Sequence, residues 1–527
     1  MTAFAGSAPD PQRSLTRQLG ATTLPSSLRV VGGAAAALLL LWPLFLYVPD
    51  ATNATAWPST LWSALWFSLW RTLLSATIGV ALSIPLAWTL ARVALPARSL
   101  LRGLVTLPIV LPALAIGLGS GWLLSGPVPL LIGANVGFGL AIGVRLGGGA
   151  WAELNPEVIQ AARTLGLAPI QVLRQYLLPV LGRPFAAAWL LAAAISLTSF
   201  GTAYILAPGS SSSLPKLAVG GTVQHPEAAA AAALLQALVV FAALVVFIHY
   251  RPSDAPSRVK SHLLPLRSLP LRDRLLIAAA WLAGLLIVLG PVFAVLHGAI
   301  TIGAAEQVTG ANVTGLIETA RPFEVDPTEA MRRSLMLAGL ALAAAVPLGI
   351  VISLVIAPLR GWSAGLVEAA LLVPLLLAVP LAAGLRAGGV DGSLALLFVH
   401  LSIALPLVVR AVLPGLRTSV RPQFEAATVL GASRWASWRR LIAPPLRAHI
   451  AVAIVLGGAW SLGNLGAALI LERLDRAPVP AAIAAALESE TSRGDGRAFA
   501  LSGILALLIA AAFVTLEHRR PPEITEF

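Results

Sequence analysis

Cysteine is absent from the 527 residues, and charged side chains make up only 11% of them. The missing thiols exclude a disulfide framework, a cysteine nucleophile and a cysteine metal site. Charge this sparse cannot cover the surface of a soluble protein of this length, since 57% of the residues are hydrophobic and the mean hydropathy is +0.86. The composition therefore indicates a chain that lies mostly in a lipid bilayer.

Apolar runs long enough to cross about 30 Å of hydrocarbon recur along the chain. They predict an all-α polytopic membrane protein with about twelve transmembrane helices. The predicted spans are 30–48, 66–90, 104–124, 128–146, 185–207, 228–249, 274–298, 334–358, 364–384, 393–413, 449–471 and 498–516. The first span is long for the core of a signal peptide, so we interpret it as an uncleaved anchor.

The distribution of arginine and lysine orients these predicted helices. If the N-terminus is inside, about twenty basic residues fall in loops on the inner side, whereas the opposite loops are richer in Asp and Glu. The positive-inside rule then places both termini in the cytoplasm. The same rule accounts for the net charge of +13, so no nucleic-acid partner is expected.

One seven-residue pattern occurs twice in the chain. The first copy is QAARTLG at 160–166 and the second is EAATVLG at 425–431, so their residue numbers differ by 265. The final glycine of each copy precedes a proline, Pro179 or Pro444, at the same spacing. In each copy two alanines favour a helix, the glycine suits a left-handed cap, and the proline is expected to end a second short helix. Each copy therefore predicts a helix-turn-helix at the inner membrane surface.

This pair of motifs resembles the EAA loops of binding-protein-dependent ABC importer permeases, which dock into the ATPase subunit. Two loops in one chain resemble a fused permease that carries both membrane halves. The resemblance implies a first half at 1–249 with its loop at about 157–180, a cytoplasmic linker at 250–273, and a second half at 274–527 with its loop at about 422–446. It assigns ATPase docking to Gln160, Ala161, Ala162, Gly166, Glu425, Ala426, Ala427 and Gly431. Gln160 stands where an acidic residue is usual, so the two docking sites are not expected to be equivalent.

Further residues match at the same offset. Asn135 and Arg145 correspond to His400 and Arg410, and the segment 196–203 corresponds to 461–468. Together with the EAA spacing, these matches predict two parallel six-helix repeats related by an axis along the membrane normal.

Polar residues within the predicted spans are candidates for a substrate pathway, because they are costly in lipid and usually face the bundle interior. The candidates are Ser196, Thr198, Ser199, Thr202, Ser461 and Asn464. Hydrogen bonding between helices is an equally good explanation of such residues. If they form a pathway, Ser199 and Asn464 should line a central cavity between the halves.

No GxxxxGK[ST] phosphate loop is present, so nucleotide hydrolysis is expected on a separate protein. No catalytic cluster, cofactor site or metal site is predicted, and His400 is interpreted as a packing residue. The resemblance implies a transport subunit of the bacterial cytoplasmic (inner) membrane. Its expected partners are two ATP-binding subunits, an extracytoplasmic solute-binding protein and membrane lipid. Fused permeases of this pattern are similar to thiamine and ferric-iron importers, so either solute is expected.

A secondary transporter with twelve helices in parallel halves is the alternative. Such a protein lacks EAA loops and usually carries intramembrane acidic or lysine residues for ion coupling. Glu368, near the end of a predicted span, is a poor candidate for that role.

Overall fold

The computed structural model describes residues 25–52, 59–121, 125–207, 213–224, 226–251, 263–302, 307–316, 325–390, 392–417, 427, 430–431, 433–472, 476–488 and 492–519. Within these ranges the regular secondary structure is helical apart from two pairs of two-residue strands. Among the described residues, nine helices are long and apolar enough to cross a membrane, and three bent helix pairs raise the number to as many as twelve. The protein is therefore an all-α polytopic membrane protein.

The described part of the chain up to residue 250 contains twelve helices and one strand. They are α1 (Ser26–Phe45), α2 (Val48–Thr52), α3 (Ser59–Arg92), β1 (Val93–Ala94), α4 (Arg98–Val105), α5 (Ala113–Ser120), α6 (Pro127–Glu153), α7 (Pro156–Thr164), α8 (Pro169–Val172), α9 (Leu178–Thr198), α10 (Phe200–Leu206), α11 (Leu214–Gln224) and α12 (Pro226–Tyr250). A 3₁₀ turn at Leu107–Ile109 follows α4, and a π turn at Leu173–Leu177 joins α8 to α9.

The described part of the chain after residue 250 contains eleven helices and three strands. They are β2 (Leu264–Pro265), α13 (Leu271–Ile300), β3 (Thr301–Ile302), β4 (Gln307–Val308), α14 (Ala311–Thr314), α15 (Pro327–Ile356), α16 (Gly361–Leu376), α17 (Ala378–Ala387), α18 (Gly392–Gly415), α19 (Arg434–Ser437), α20 (Ala443–Leu462), α21 (Leu465–Leu471), α22 (Val479–Glu488) and α23 (Ser492–Arg519). A 3₁₀ turn at Leu266–Ser268 precedes α13, and a π turn at Trp438–Ile442 joins α19 to α20.

The long helices carry apolar side chains on their outer faces as well as inside. Leu286 and Phe293 on α13, and Leu340 and Val351 on α15, are between 46% and 65% exposed. A helix that is apolar all round suits a hydrocarbon environment, whereas a water-facing helix would be polar on one side. The outer surface therefore fits lipid.

Four of the predicted spans are not single straight helices. Span 104–124 is divided into α4 and α5, which are bent by 94°, and span 364–384 into α16 and α17, which are bent by 75°. Spans 185–207 and 449–471 are interrupted after Thr198 and after Leu462. Hydropathy could not reveal these breaks because the residues on both sides of each are apolar.

The first helix of each proposed half packs on helices of the other half. Helix α1 packs on α15, α16 and α17, whereas α13 packs on α3, α4, α5 and α6 as well as on α23 of its own half. Glycines permit the closest crossings: a Cβ built on Gly119 would lie 1.9 Å from the carbonyl oxygen of Pro291, and one on Gly384 would lie 2.1 Å from that of Pro43. Only residues without a side chain fit there.

Element boundaries recur along the chain at a constant offset. Helix α10 begins at Phe200 and α21 at Leu465, which differ by 265. The same difference separates the first residues of five further pairs: α6 and α18, α8 and α19, the two π turns, α9 and α20, and α11 and α22.

The segment between α12 and α13 returns to the first part of the chain. Strand β2 pairs in parallel with β1, with Val93 opposite Leu264. Helix α12 ends at Tyr250 and α13 begins at Leu271, so both helices adjoin the predicted linker at 250–273. Residues 252–262 lie outside the described part of the chain.

Candidate functional site

The first predicted docking segment forms a short helix closed by a glycine turn. Helix α7 is capped by Asn155, whose side chain accepts the N–H of Glu157 at 2.9 Å. At the end of the helix Leu167 donates its N–H to the carbonyl of Ala162 at 3.1 Å, and Gly166 donates to Arg163 at 3.0 Å. This is the Schellman arrangement, and Gly166 adopts the left-handed φ of +77° that it requires.

Helix α7 has no buried residue. Gln160 and Ala161 are exposed, Ala162 is half-buried, and Leu165 beside the turn is 80% exposed. The ordered turn thus holds a large apolar side chain at the surface.

The second predicted docking segment is described only in part. Glu425 and Ala426 lie outside the described residues, whereas Ala427 is buried. Gly431 has a φ of +78°, and Leu430 before it is 85% exposed. At the glycine and at the exposed leucine, the second segment therefore repeats the first.

The expectation that a proline ends the second helix is wrong for the first segment. The stretch Pro169–Thr198 is one helical span that passes through Pro179. In the second segment the helices Trp435–Leu441 and Leu446–Leu462 are bent by 62° at the residues around Pro444, so the helix changes direction there. Each proline follows a π turn and occupies the second position of the helix after it, where a missing N–H is tolerated. The first glycine turn is thus joined to the membrane interior by continuous helix.

A cavity of about 130 Å³ lies between the two parts of the chain. Its lining includes residues at all four helix breaks, near Val110, Ser199, Leu376 and Asn464. Irregular backbone is tolerated at membrane depth only where protein or water can satisfy its polar groups. The breaks therefore place peptide dipoles and polar side chains around one central space.

The six predicted pathway residues divide into two groups. Thr198, Ser199 and Asn464 belong to the lining of the cavity. Ser196, Thr202 and Ser461 are fully buried and are not part of that lining, so they are packing residues.

Side-chain hydrogen bonds explain Thr202 and Ser461, whereas the hydroxyl of Ser196 has no hydrogen-bond partner among the described residues. The hydroxyls of Thr202 and Ser199 lie 2.7 Å apart, and Ser461 is hydrogen-bonded to Nδ1 of His400. His400 is therefore a buried packing residue with a partner on α20. The carbonyl of Ser196 accepts a hydrogen bond from Nη2 of Arg71 at 3.4 Å.

Arg71 is a buried cation that the sequence reasoning missed. Its side chain is fully buried on α3, and its guanidinium lies 6.0 Å from the ring centroid of Phe67. Ser68, Thr72 and Ser75 are buried beside it on the same helix. The spacing of these polar residues around one arginine in an apolar run was the available signal.

A second, smaller cavity of about 50 Å³ adjoins the first. The two share Ile109 and Trp460, and the smaller one is also lined by Arg145 and Arg410. Trp460 donates its indole N–H to the carbonyl of Ile109 at 2.7 Å, which ties α20 to the break before α5. Sequence reasoning did not single out Trp460 as a site residue.

Two buried carboxylates each bind two arginines. Glu368 contacts Arg251 at 2.6 Å and Arg417 at 2.8 Å, so this residue is held by ion pairs within the protein. Glu517 contacts Arg102 at 2.7 Å and Arg145 at 2.9 Å. Glu517 was also missed, because its partners are distant in sequence.

Among the residues that the structure describes, no group of three or more His, Asp or Glu side chains is placed to hold a metal ion. No protein-family model matches the chain, and no curated protein is found to be similar to it.

Proposed function

We propose that this chain is the fused permease subunit of a binding-protein-dependent ABC importer. In this proposal it moves a small solute across a bacterial cytoplasmic membrane with both termini inside. A separate ATPase, in two copies, binds the segments 157–180 and 422–446, and an extracytoplasmic binding protein delivers the solute. The permease itself catalyses no reaction.

The pair of glycine turns is the observation that carries the proposal. Gly166 and Gly431 have nearly the same left-handed φ, and each follows a leucine that is at least 80% exposed. An interfacial helix needs no ordered cap of this kind, and its apolar residues would face the membrane. Two matching turns suit two copies of one partner.

The constant offset between the two parts of the chain supports two parallel repeats. Six pairs of element boundaries share it, and Gly119 and Gly384, which receive the exchanged helices, also differ by 265. Repeats of this kind place a solute site at their interface, between discontinuous helices. The cavity bounded by the four helix breaks has that position, so we assign the pathway to Thr198, Ser199 and Asn464.

Thiamine and ferric iron are the solutes that we propose, on the family resemblance alone. The cavity offers hydroxyl and amide groups within a mostly apolar wall. Most of the selection is then left to the binding protein.

The alternative is a secondary transporter driven by an ion gradient. Such a protein usually couples transport through an intramembrane acidic or lysine residue that faces the pathway. Glu368, the residue considered for that role, is already bound by two arginines. We therefore favour the ABC importer.

Uptake in proteoliposomes with the ATPase and binding protein encoded beside this chain tests the proposal. Leu165→Asp and Leu430→Asp put a charge at each exposed docking leucine and should reduce ATPase capture and ATP-driven uptake, with the double variant losing both. Leu271→Asp is the matched control, since Leu271 is 63% exposed at the first residue of α13. Uptake that needs no ATP and that an ionophore abolishes would instead identify a secondary transporter.

A further inference from the structure

Two clusters of ion pairs, each built on one buried carboxylate, connect the two halves. In one cluster the last helix of the second half supplies the glutamate, and in the other the last helix of the first half supplies an arginine. In the first, Glu517 on α23 meets Arg102 on α4 and Arg145 on α6. In the second, Arg251 at the end of α12 meets Glu368 on α16, and Arg417 contacts the same carboxylate. Each cluster thus links the last helix of one half to the other half, and the side chains of Glu517 and Glu368 are only 2% and 6% exposed.

The clusters occupy equivalent positions with inverted charge. The residue numbers of Arg102 and Glu368 differ by 266, and those of Arg251 and Glu517 differ by the same amount. The first residues of the last helices, Pro226 of α12 and Ser492 of α23, are separated by that interval as well. Where the first half carries arginine at both positions, the second half carries glutamate at both.

We propose that this inversion determines which halves pair. A first half against a second half places opposite charges together at both contacts. Two first halves would place Arg251 against Arg102, and two second halves would place Glu517 against Glu368. Buried like charges are strongly unfavourable, and buried ion pairs act better as specificity devices than as sources of stability. The surface therefore accepts the opposite half and rejects a second copy of the same half.

This inference rests on the two-repeat architecture of the proposed function, and it is independent of ATP-driven import. Each cluster also contains a second arginine, Arg145 or Arg417, and these residues support the inference. In each cluster the ion pairs join one glutamate to two arginines. Exchanging the charges of one contact therefore preserves the charge of its cluster while removing the discrimination between halves.

A charge-exchange series in the full chain separates stability from pairing. The single variant Glu517→Arg gathers three arginines and should lower the thermal midpoint. Glu517→Arg with Arg102→Glu restores the contact and should restore the midpoint. In that double variant each half carries one arginine and one glutamate at the two contact positions. Two copies of the same half would therefore also place opposite charges together. Adding Arg251→Glu and Glu368→Arg inverts both clusters and should restore discrimination without changing stability.

Two introduced cysteines report incorrect pairing, because the native chain has none. A Cβ built on Gly365 would lie 3.0 Å from Ile248, and Ser99 is the residue of the first half that corresponds to Gly365 at the interval that relates Arg102 to Glu368. In a pair of first halves from two chains, Ser99 of one would therefore approach Ile248 of the other. Ser99→Cys with Ile248→Cys should give disulfide-linked dimers only when such pairs form.

We expect little dimer in the parent with both cysteines, a several-fold rise in the double exchange, and a return to the parent level in the quadruple exchange. The proposal is overturned if all three proteins form equal amounts of disulfide-linked dimer, or if the single variant Glu517→Arg is as stable as the parent. If the double exchange does not elute as folded protein, the mirror exchange Arg251→Glu with Glu368→Arg replaces it. All readouts use the purified chain alone, so this result and the ATPase-capture result fail independently.

Discussion

At the scale of single residues, Gly166 and Gly431 combine an unusual backbone with free space. Both have φ close to +78°, and a Cβ built on either would have no heavy atom within 4 Å. A side chain at either position would therefore clash with no neighbouring residue. The cost of the substitution would come only from the left-handed backbone conformation. The cost of holding a non-glycine residue in the left-handed region is about 1–2 kcal/mol.

Gly431→Val should therefore weaken capture of the ATPase by roughly tenfold, since about 1.4 kcal/mol changes an equilibrium constant by that factor. The chain should still insert and elute as folded protein. Gly182→Val is the control, because Gly182 lies within helix α9 and also has open space around it. Binding is measured by titration of the ATPase in nanodiscs. Equal affinities for the two variants would show that the turn geometry plays no part in docking.

The buried carboxylates are the second feature at this scale. Glu517→Gln leaves Arg102 and Arg145 without their shared negative charge, and breaking a buried ion pair costs about 3–5 kcal/mol. The thermal midpoint should fall clearly.

Glu329→Gln is the control, because Glu329 binds Arg332 and Arg333 at the surface, where such pairs contribute little. A thermal melt monitored by circular dichroism compares the three proteins. A melt of Glu517→Gln that matches that of Glu329→Gln would contradict the structural role assigned to the cluster.

At the scale of helices, the exchange of α1 and α13 depends on two close crossings. Gly119 and Gly384 admit the carbonyls of Pro291 and Pro43 at distances that no Cβ can occupy. Backbone atoms cannot rotate away as a side chain would, so the crossing helix must move as a whole.

Gly384→Ala should therefore destabilise the protein by about 1–3 kcal/mol, the usual cost of overpacking. Gly119→Ala should behave in the same way. Gly339→Ala is the matched control, since Gly339 lies within the long helix α15 and has nothing within 4 Å of a built Cβ. Chemical denaturation in detergent measures the three, and an unchanged midpoint for Gly384→Ala would contradict the observed crossing.

At the scale of the whole molecule, a continuous helix joins the first glycine turn, the proposed ATPase-docking site, to the central cavity. The span Pro169–Thr198 begins three residues after Gly166 and ends beside Ser199, which lines the cavity. A rigid helix transmits a displacement at one end to the other. Movement of a docked ATPase would therefore reach the break at Ser199.

Single cysteines at Ser199 and Asn464 should react with a water-soluble thiol reagent to an extent that changes with ATP and loaded binding protein. Leu340→Cys is the control, because this residue is exposed on the outer face of α15 and should stay unlabelled in lipid. Labelling is followed by mass spectrometry in reconstituted protein. If both cavity positions resist labelling in every state of a transport-competent protein, these residues are packing contacts.

Composition and local residue chemistry were enough to predict the class of protein and the positions of the two glycine turns. Composition and hydropathy are properties of the chain alone, and the left-handed turn follows from local residue chemistry at Gly166 and Gly431. The same local reasoning predicted that a proline ends the second helix of each segment. It was wrong at Pro179, where the preceding π turn admits the proline into continuous helix, whereas the helix is bent by 62° around Pro444.

The positions of the helix breaks, the exchange of α1 and α13 and the packing of polar residues depend on contacts between distant parts of the chain. Thr202 and Ser461 are as polar as Ser199, but their hydroxyls are bound by Ser199 and His400 and are not part of the cavity lining. The pairs of Glu517 with Arg145 and of Arg251 with Glu368 join residues 372 and 117 positions apart. Helical periodicity and hydropathy depend on neighbours within a few turns, so contacts over such distances appear only when the packed helices bring the charges together.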